Sequence, residues 1–259
     1  MNRTLVALIL MCLPLSLFSA EEHGPELEKV RIDLSNQASL QNGARIFVNF
    51  CLSCHSASYM RYNRMASDLG ISDDLLKEHL MFTADKPGNL MKTAMSKEDA
   101  EDWFGVAPPD LSVVARSRKP AWIYTYLRSF YVDENSATGW NNTVFENVAM
   151  PNVFYEWQGK QRAVFETEKL TTKVKSADGT EKEKETEVEV FGHFELETPG
   201  LMSPQEFDNA IRDLVNFLVY LGEPAKLERY RIGIFVMLFL GVLFVLTYLL
   251  KKEYWKDIH

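Results

Sequence analysis

Two cysteines and a histidine stand close enough in the sequence to hold one cofactor. Cys51, Cys54 and His55 form a C-x-x-C-H pattern, which is the attachment signature of a covalent c-type haem. On a helix these residues project from one face, because positions i, i+3 and i+4 are neighbours there. Two thioether links can then hold the porphyrin while the imidazole of His55 reaches the iron. The pattern therefore predicts one covalent haem c.

A redox dithiol and a zinc site are the competing interpretations of the two cysteines. A dithiol motif does not need the histidine, and a four-ligand zinc site needs a second pair of Cys or His ligands. Cys12 is the only other cysteine in the chain, so a second cysteine pair does not exist. Each alternative leaves part of the pattern unexplained, and covalent haem is the stronger hypothesis.

The composition sets broad limits on the class of protein and on its partners. The 259 residues are 46% hydrophobic, which is enough for the core of one large domain or two small ones. The formal net charge of −8 argues against nucleic acid as a partner and favours basic partners.

Both ends of the chain carry apolar segments that are typical of an exported, membrane-anchored protein. Residues 1–20 place Arg3 before a long apolar run that ends in small residues, which predicts a secretory signal peptide. From Ile232 to Leu250 the chain has 19 residues without a charge, enough to span a bilayer as a helix. Export of the body leaves the short C-terminal tail in the cytoplasm.

These segments divide the chain into parts. We predict a signal peptide at 1–20, a periplasmic c-type haem domain at 21–224, a linker and transmembrane anchor at 225–250, and a cytoplasmic tail at 251–259. Within the haem domain, residues 160–197 alternate in polarity and predict a small acidic β-hairpin insertion. Its charges fit either a docking surface or a peripheral addition. The expected fold class is mainly α, with a single membrane pass in a bacterial inner membrane.

Periodicity and capping signals predict two helices that pack together. The first begins near Leu40 and carries Gly43 on the same stripe as the cysteines of the motif. Glycine within a helix costs roughly 1 kcal/mol relative to alanine, so Gly43 indicates the close approach of another helix. The second is an amphipathic helix that begins with a capping box at Ser203 and ends before Gly222.

Shorter elements are predicted between these two helices. Ser72 and Ser96 are the expected N-caps of two of them. The elements are helices at 71–80, 96–103 and 120–131, a proline-rich loop at 107–112 that leads into a helix from Leu111, and a turn at 177–180.

The sixth ligand of the iron decides between electron transfer and ligand chemistry. A histidine or methionine closes the site for electron transfer, whereas an open position allows ligands to bind. His79 and His193 are the histidine candidates, and Met150 and Met202 are the methionines that lie in loops near a proline. Met150 is favoured because an aromatic stretch suited to a haem wall follows it, but the local sequence leaves Met202 open.

Other side chains are candidates for the walls and mouth of the pocket. Arg116 and Arg118 follow the proline-rich loop, and a guanidinium is suited to a haem propionate. Trp122, Tyr124 and Tyr126 form an aromatic cluster that could line the pocket, and we assign Tyr124 to it. Packing in a helical core explains the same cluster equally well.

Several segments resemble the cytochrome c1 family. Residues 40–65 resemble its haem-attachment segment, residues 107–112 its proline-rich haem loop, and residues 150–156 its axial-methionine segment. The single C-terminal membrane span that follows a capped helix also resembles the arrangement in this family. The resemblance covers most of the chain after the signal peptide and is weakest over 160–197.

The resemblance implies a cytochrome c-like haem domain with particular residues at the cofactor. It implies His55 and Met150 as the two iron ligands, Met150 being preferred to Met202. It also implies that Pro109 contacts the haem and that Arg118 lies at a propionate.

The same resemblance implies a place in a respiratory chain. Electrons would pass from a Rieske iron–sulfur protein to this haem and then to a soluble c-type cytochrome, within a dimeric bc1 complex beside cytochrome b and membrane lipid. No bond-making chemistry is expected in this subunit. The alternatives are a membrane-anchored haem enzyme or gas sensor with an open iron site, and a cytochrome c that feeds a terminal oxidase.

Overall fold

The computed structural model describes residues 26–175 and 181–258. The predicted signal peptide at 1–20 and the predicted turn at 177–180 lie outside these described residues. Within them the chain forms helices of different lengths and two-stranded antiparallel sheets.

Helices and short pairs of strands alternate along the chain. The helices are α1 Gln37–Ile46, α2 Tyr62–Asp68, α3 Asp73–His79, α4 Lys97–Phe104, α5 Val114–Ser117, α6 Pro120–Arg128, α7 Tyr155–Gln158, α8 Pro204–Gly222 and α9 Lys226–Tyr254. A π-helical turn, Phe47–Cys51, continues α1, and a 3-10 turn, Lys256–Ile258, follows α9. The strands pair as β1 Ala57–Arg61 with β2 Leu90–Met91, β3 Phe130–Val132 with β4 Trp140–Asn142, and β5 Gly159–Lys175 with β6 Glu181–Pro199.

Helices α1 and α8 pack directly against each other at Gly43. A Cβ atom at this position would lie 2.1 Å from the carbonyl oxygen of Asp213 and 2.6 Å from the Cβ of Phe217. One turn later, the rings of Phe47 and Phe217 have centroids 5.6 Å apart. The close helix approach predicted from Gly43 is confirmed, and it brings the helix of the haem motif against α8.

Hydrogen bonds at the same interface fix the rotation of α1. The carboxylate of Asp213 accepts from Ser39 Oγ at 2.7 Å and from Asn42 Nδ2 at 2.9 Å. The buried amide of Asn216 donates to Ser39 Oγ of α1 at 3.1 Å and to the carbonyl of Asp33, in the segment before α1, at 2.8 Å. Because buried polar groups are costly unless paired, these bonds specify which stripe of α1 faces inward.

Side-chain caps begin three helices as the sequence predicts. Ser72 and Ser96 accept from the backbone of α3 and α4. Ser203 and Glu206 complete the capping box at the start of α8. These caps satisfy N–H groups that the helices themselves leave without partners.

Two helix starts differ from the predicted ones. Helix α1 begins at Gln37 rather than near Leu40, because Asn36 accepts from the backbone of its first turn. Helix α5 begins at Val114 rather than Leu111, because hydrogen bonds to neighbouring segments hold the preceding loop residues.

Helix α6 ends at Arg128 instead of continuing to residue 131. Asn142 Nδ2 donates to the carbonyl of Tyr126 at 2.8 Å. The side-chain amides of Gln158 and Gln161 donate to the carbonyl of Arg128 at 2.7 and 3.1 Å. Side chains distant in the sequence therefore satisfy the last carbonyls of the helix, and the chain turns into β3.

The predicted membrane segment lies within α9. In the part of the chain that the structure describes, α9 is the one helix long and apolar enough to cross a membrane, and its candidate span has no buried residues. The helix starts at Lys226, and three residues separate it from the end of α8 at Gly222. This short connection places the end of α8 next to the start of the helix that carries the candidate span.

Candidate haem site

The C-x-x-C-H motif lies across the end of a helix rather than inside one. The N–H of Leu52 donates to the carbonyl of Phe47 at 3.0 Å, which closes a π-helical turn. The N–H groups of Cys54 and His55 then both donate to the carbonyl of Cys51, at 3.1 and 2.7 Å. This tight turn keeps the two thiols and the imidazole together, as the helical spacing predicted, although the chain leaves the helix at the motif. Such π-helical turns are frequent at functional sites.

His55 is oriented by a carbonyl of the proline-rich loop. Its Nδ1 lies 2.8 Å from the carbonyl oxygen of Pro109, so Nδ1–H donates and Nε2 remains available as a ligand. Burial lowers the pKa of His55, although the Pro109 bond and the charge of Asp110 oppose this shift. The neutral imidazole is the form that binds a metal.

Asp110 fastens the proline-rich loop to the chain that follows the motif. Its carboxylate accepts from the N–H of Ser58 at 3.0 Å and from the N–H of Ser112 at 2.8 Å. Burial raises the pKa of Asp110, but hydrogen bonds from Ser112 and Ser58 outweigh that effect and leave the pKa below its usual value. The ionised side chain therefore supports the loop whose carbonyl orients His55.

An apolar cavity of about 480 Å³ opens beside the motif. Its size lies within the range of about 300–1,000 Å³ that is usual for ligand and cofactor sites. Leu214 and Leu218 of α8 form part of one wall. Its lining includes six residues that the sequence assigned to the haem, namely Cys51, Cys54, His55, Pro109, Arg118 and Met150.

The structure separates the two candidate methionines. Met150 lines the cavity, and its Sδ accepts a hydrogen bond from the hydroxyl of Tyr126 at 3.4 Å. Met202 does not line the cavity, and its N–H donates to the carbonyl of Trp157 at 3.1 Å beside the start of α8. Of these two methionines, the structure brings Met150 and not Met202 to the cavity of the C-x-x-C-H motif.

The histidine candidates for the sixth position are likewise not brought to the cavity. The Nε2 of His79 lies 3.9 Å from Glu78, and the Nε2 of His193 lies 3.8 Å from Glu195. Neither histidine is part of the cavity lining.

The aromatic cluster on α6 contributes a different tyrosine from the one assigned. Tyr124 does not line the cavity, because its ring lies on the other face of α6 with the Arg128 guanidinium 4.7 Å above it. Trp122 and Tyr126 line the cavity instead, and their rings stack with centroids 4.9 Å apart. The guanidinium of Arg118 lies 5.0 Å from the Trp122 ring. Tyr126 and Trp122 are four residues apart, a helical spacing that could have identified this face from the sequence.

The cavity and its donors fit a covalently attached haem. Two thiols can form the thioether links, while an oriented imidazole and a thioether are a known pair of axial iron ligands in c-type cytochromes. The apolar walls suit the macrocycle, and a guanidinium at the lining suits a propionate.

Comparison with known proteins identifies the family of this chain. A sequence model of the Cytochrome C1 family matches residues 29–189 and 202–258. The chain is 49% identical over 259 residues to "Cytochrome c1" of Allochromatium vinosum, covering all of both chains. It is 45% identical over 257 residues to "Ammonia monooxygenase gamma subunit" of Nitrosomonas europaea, covering 98% of this chain and 99% of the relative. It is also 27% identical to "Cytochrome c1" of Rhodospirillum rubrum, covering 86% of this chain and 83% of the relative.

The matched residues span the haem motif, the cavity, the capped helix and the membrane segment. Proteins of this family carry a covalently bound c-type haem and are membrane-anchored subunits of bc1-type electron transfer. The chain belongs to the cytochrome c1 family.

Proposed function

We propose that this protein carries electrons from a Rieske iron–sulfur protein to a soluble c-type cytochrome, within a quinol-oxidising bc1 complex of a respiratory chain. Family membership supports the bc1 assignment and implies cytochrome b and the Rieske protein as neighbours. The observation that carries the proposal is the cavity lined both by the whole C-x-x-C-H motif and by Met150. With His55 and Met150 both bound to the iron, no open position is left for a substrate, which is the arrangement of electron-transfer cytochromes.

The residues of the site have distinct roles in this proposal. Cys51 and Cys54 hold the haem by thioether links, and His55 and Met150 are the iron ligands. A bound haem supplies a one-electron redox couple, and no bond-making step is needed in this subunit. Methionine ligation and an apolar surrounding both raise the potential of that couple.

Two further groups act at the edge of the site. The Pro109 carbonyl fixes the imidazole of His55 through Nδ1, which makes Nε2 the nitrogen that binds iron. Arg118 lines the cavity and is the partner of a propionate in this proposal. Tyr126, rather than Tyr124, is the tyrosine of the pocket wall.

The proposal divides the chain into an export signal, a haem domain, a membrane anchor and a short tail. Residues 1–20 are a cleaved signal peptide, 21–224 a cytochrome c-like periplasmic domain, 225–250 a linker and anchor, and 251–259 a cytoplasmic tail. The exposed apolar side chains of α9 support the anchor, since every face of that helix is suited to lipid. The paired strands β5 and β6 support a hairpin insertion in the helical domain at 160–197. The complex is a dimer in a bacterial inner membrane.

Purification from native membranes tests the assignment to a quinol-oxidising complex. The full chain is purified in mild detergent, its companions are identified by mass spectrometry, and haem reduction is followed after addition of a reduced quinol. We expect cytochrome b and a Rieske protein as companions, rapid reduction by the quinol and reoxidation by an added soluble c-type cytochrome. Co-purification with the subunits of a terminal oxidase, without reduction by quinol, would contradict the proposal.

A carbon monoxide titration of the reduced protein tests the closed site separately. An electron carrier with both axial positions occupied shows no spectral change at neutral pH. Ready binding of carbon monoxide would instead indicate an enzyme or a gas sensor with an open iron position.

A further inference from the structure

We propose that Tyr126 is a positioning residue for Met150, and that its hydroxyl group raises the reduction potential of the haem by bonding to the methionine sulfur. The inference rests on the proposed function, because it takes Met150 as an iron ligand. It adds a residue outside the iron ligands that sets how strongly the ligand sulfur binds.

The hydrogen bond itself is the first observation. The Oη–H of Tyr126 donates to Met150 Sδ at 3.4 Å, and both side chains line the same cavity. Among the side chains that the structure describes, no other forms a hydrogen bond with Met150. A thioether sulfur is a weak acceptor, so a donor held in this position has a specific effect on it. The bond engages one lone pair of the sulfur and leaves the other available for the iron.

The phenol ring is held in place by contacts that do not depend on Met150. Trp122 stacks on Tyr126 with centroids 4.9 Å apart and planes within 10°, and Phe130 approaches its edge with centroids 5.1 Å apart. Trp122 is itself covered by Arg118 at 5.0 Å. The hydroxyl group therefore occupies its position before the sulfur is bound, and a preorganised donor of this kind retains its full effect.

The segment that carries Met150 is tied to the backbone of Tyr126 through one buried amide. Asn142 is fully buried and donates from Nδ2 to the carbonyl of Tyr126 at 2.8 Å. Its Oδ1 accepts from the N–H groups of Val144 and Phe145 at 2.9 and 3.2 Å. The start of the 143–150 loop and the end of α6 are thus fixed relative to each other, which keeps donor and acceptor within reach.

A donor at the sulfur changes the balance between the two oxidation states of the iron. The hydrogen bond withdraws electron density from the sulfur, so Met150 donates less to the oxidised iron and the reduced form is favoured. Hydrogen bonds to a ligand are a known means of adjusting a metal centre. Only the difference in strength of this bond between the two oxidation states shifts the potential, so its ordinary net strength sets a ceiling of about a three- to tenfold shift toward the oxidised form when the bond is lost. At 59 mV for each tenfold change in a one-electron couple, the potential falls by at most about 30–60 mV.

Redox titration of the full haem-loaded chain tests whether the Tyr126 hydroxyl raises the reduction potential. The Tyr126→Phe variant is compared with Tyr124→Phe. The control removes a hydroxyl from a buried tyrosine of the same helix, whose ring lies against Arg128 and not at the cavity. We expect the potential to fall in Tyr126→Phe and to stay unchanged in Tyr124→Phe, with the near-infrared sulfur-to-iron band retained in both. An unchanged potential in Tyr126→Phe, or an equal fall in the control, would overturn the inference.

Two further variants show whether the effect passes through the sulfur. Tyr126→3-fluorotyrosine keeps the ring and strengthens the donor, so it should raise the potential. In a Met150→His background, which has no sulfur, Tyr126→Phe should leave the potential nearly unchanged, and an equal fall there would refute the proposal. Absence of the near-infrared band in the wild type would defeat the Met150 assignment itself. If the wild type shows the near-infrared band and Tyr126→Phe leaves the potential unchanged, the inference about Tyr126 is wrong and the assignment of Met150 stands.

Discussion

The most direct test of how the fold positions the haem motif is the substitution of Gly43 by alanine. Gly43 lies where α1 meets α8, and the new Cβ would lie 2.1 Å from a backbone oxygen of Asp213 and 2.6 Å from the Cβ of Phe217. Neither atom belongs to the flexible end of a side chain. The helices would therefore have to move apart to reach ordinary contact distances.

Two opposing effects decide how much Gly43→Ala changes the free energy of unfolding. Alanine is favoured over glycine inside a helix by roughly 1 kcal/mol, whereas overpacking of a core costs about 1–3 kcal/mol or more. Because both contacted atoms are fixed to the α8 backbone, we expect the steric cost to exceed the helical gain. We predict a net loss of about 1–2 kcal/mol in the free energy of unfolding, which lowers Tm by roughly 2–8 °C in a domain of this size.

Thermal unfolding of the purified full chain, followed by circular dichroism and haem absorbance, measures this loss. Gly88→Ala is the matched control, since a Cβ there meets nothing within 4 Å and its φ is ordinary. We expect the control to be neutral or slightly stabilised. A Gly43→Ala protein as stable as the wild type, or no less stable than the control, would refute the close helix contact.

Two further predictions concern the cap of α8 and the support of the proline-rich loop. Ser203→Ala removes the capping box and should reduce the free energy of unfolding by about 0.5–2 kcal/mol, whereas Ser203→Thr should retain most of it; equal melting temperatures for wild type and Ser203→Ala would contradict this. Asp110 has a lowered pKa in the folded protein, so its stabilising effect is fully present above the unfolded pKa of about 3.9 and is lost as pH falls through the folded pKa. Asp110→Asn should therefore be less stable than the wild type near pH 7, and the difference should vanish in acid; a difference independent of pH would show that the carboxylate is not responsible.

Features with a strong local signal could be predicted from the sequence alone. The haem motif, the capping box at Ser203, the caps at Ser72 and Ser96 and the contact at Gly43 each depend on a few residue types at fixed spacing. Local chemistry determines such features, because the glycine, the serine hydroxyl and the paired thiols have few other uses in those positions. The apolar segment that forms α9 belongs to the same class.

Features that depend on distant side chains could not be predicted. Helix α6 ends at Arg128 because amides from Gln158 and Gln161 donate to its last carbonyl. The sequence around Arg128 contains no signal that predicts this helix end. The π-helical turn before the motif likewise has no signature in the sequence. Residue type alone does not distinguish Tyr124 from Tyr126, although the spacing to Trp122 separates the two faces of the helix.

The choice between Met150 and Met202 shows how tertiary structure resolves a local ambiguity. Both methionines lie in loops near a proline, and the sequence around each is compatible with a ligand. The fold brings Met150 to the cavity of the C-x-x-C-H motif and leaves Met202 at the start of α8. The contact with Tyr126 adds a reason why the sulfur of Met150 is held there.

The near-infrared absorbance of the oxidised protein tests the proposed closed haem site most directly, because this band reports a methionine sulfur bound to ferric haem iron. It is measured for the wild type, for Met150→His and for the matched control Met202→Leu. We predict that the band is present in the wild type and in Met202→Leu and is absent in Met150→His. A wild type without the band, or loss of the band in Met202→Leu alone, would contradict a haem held between His55 and Met150.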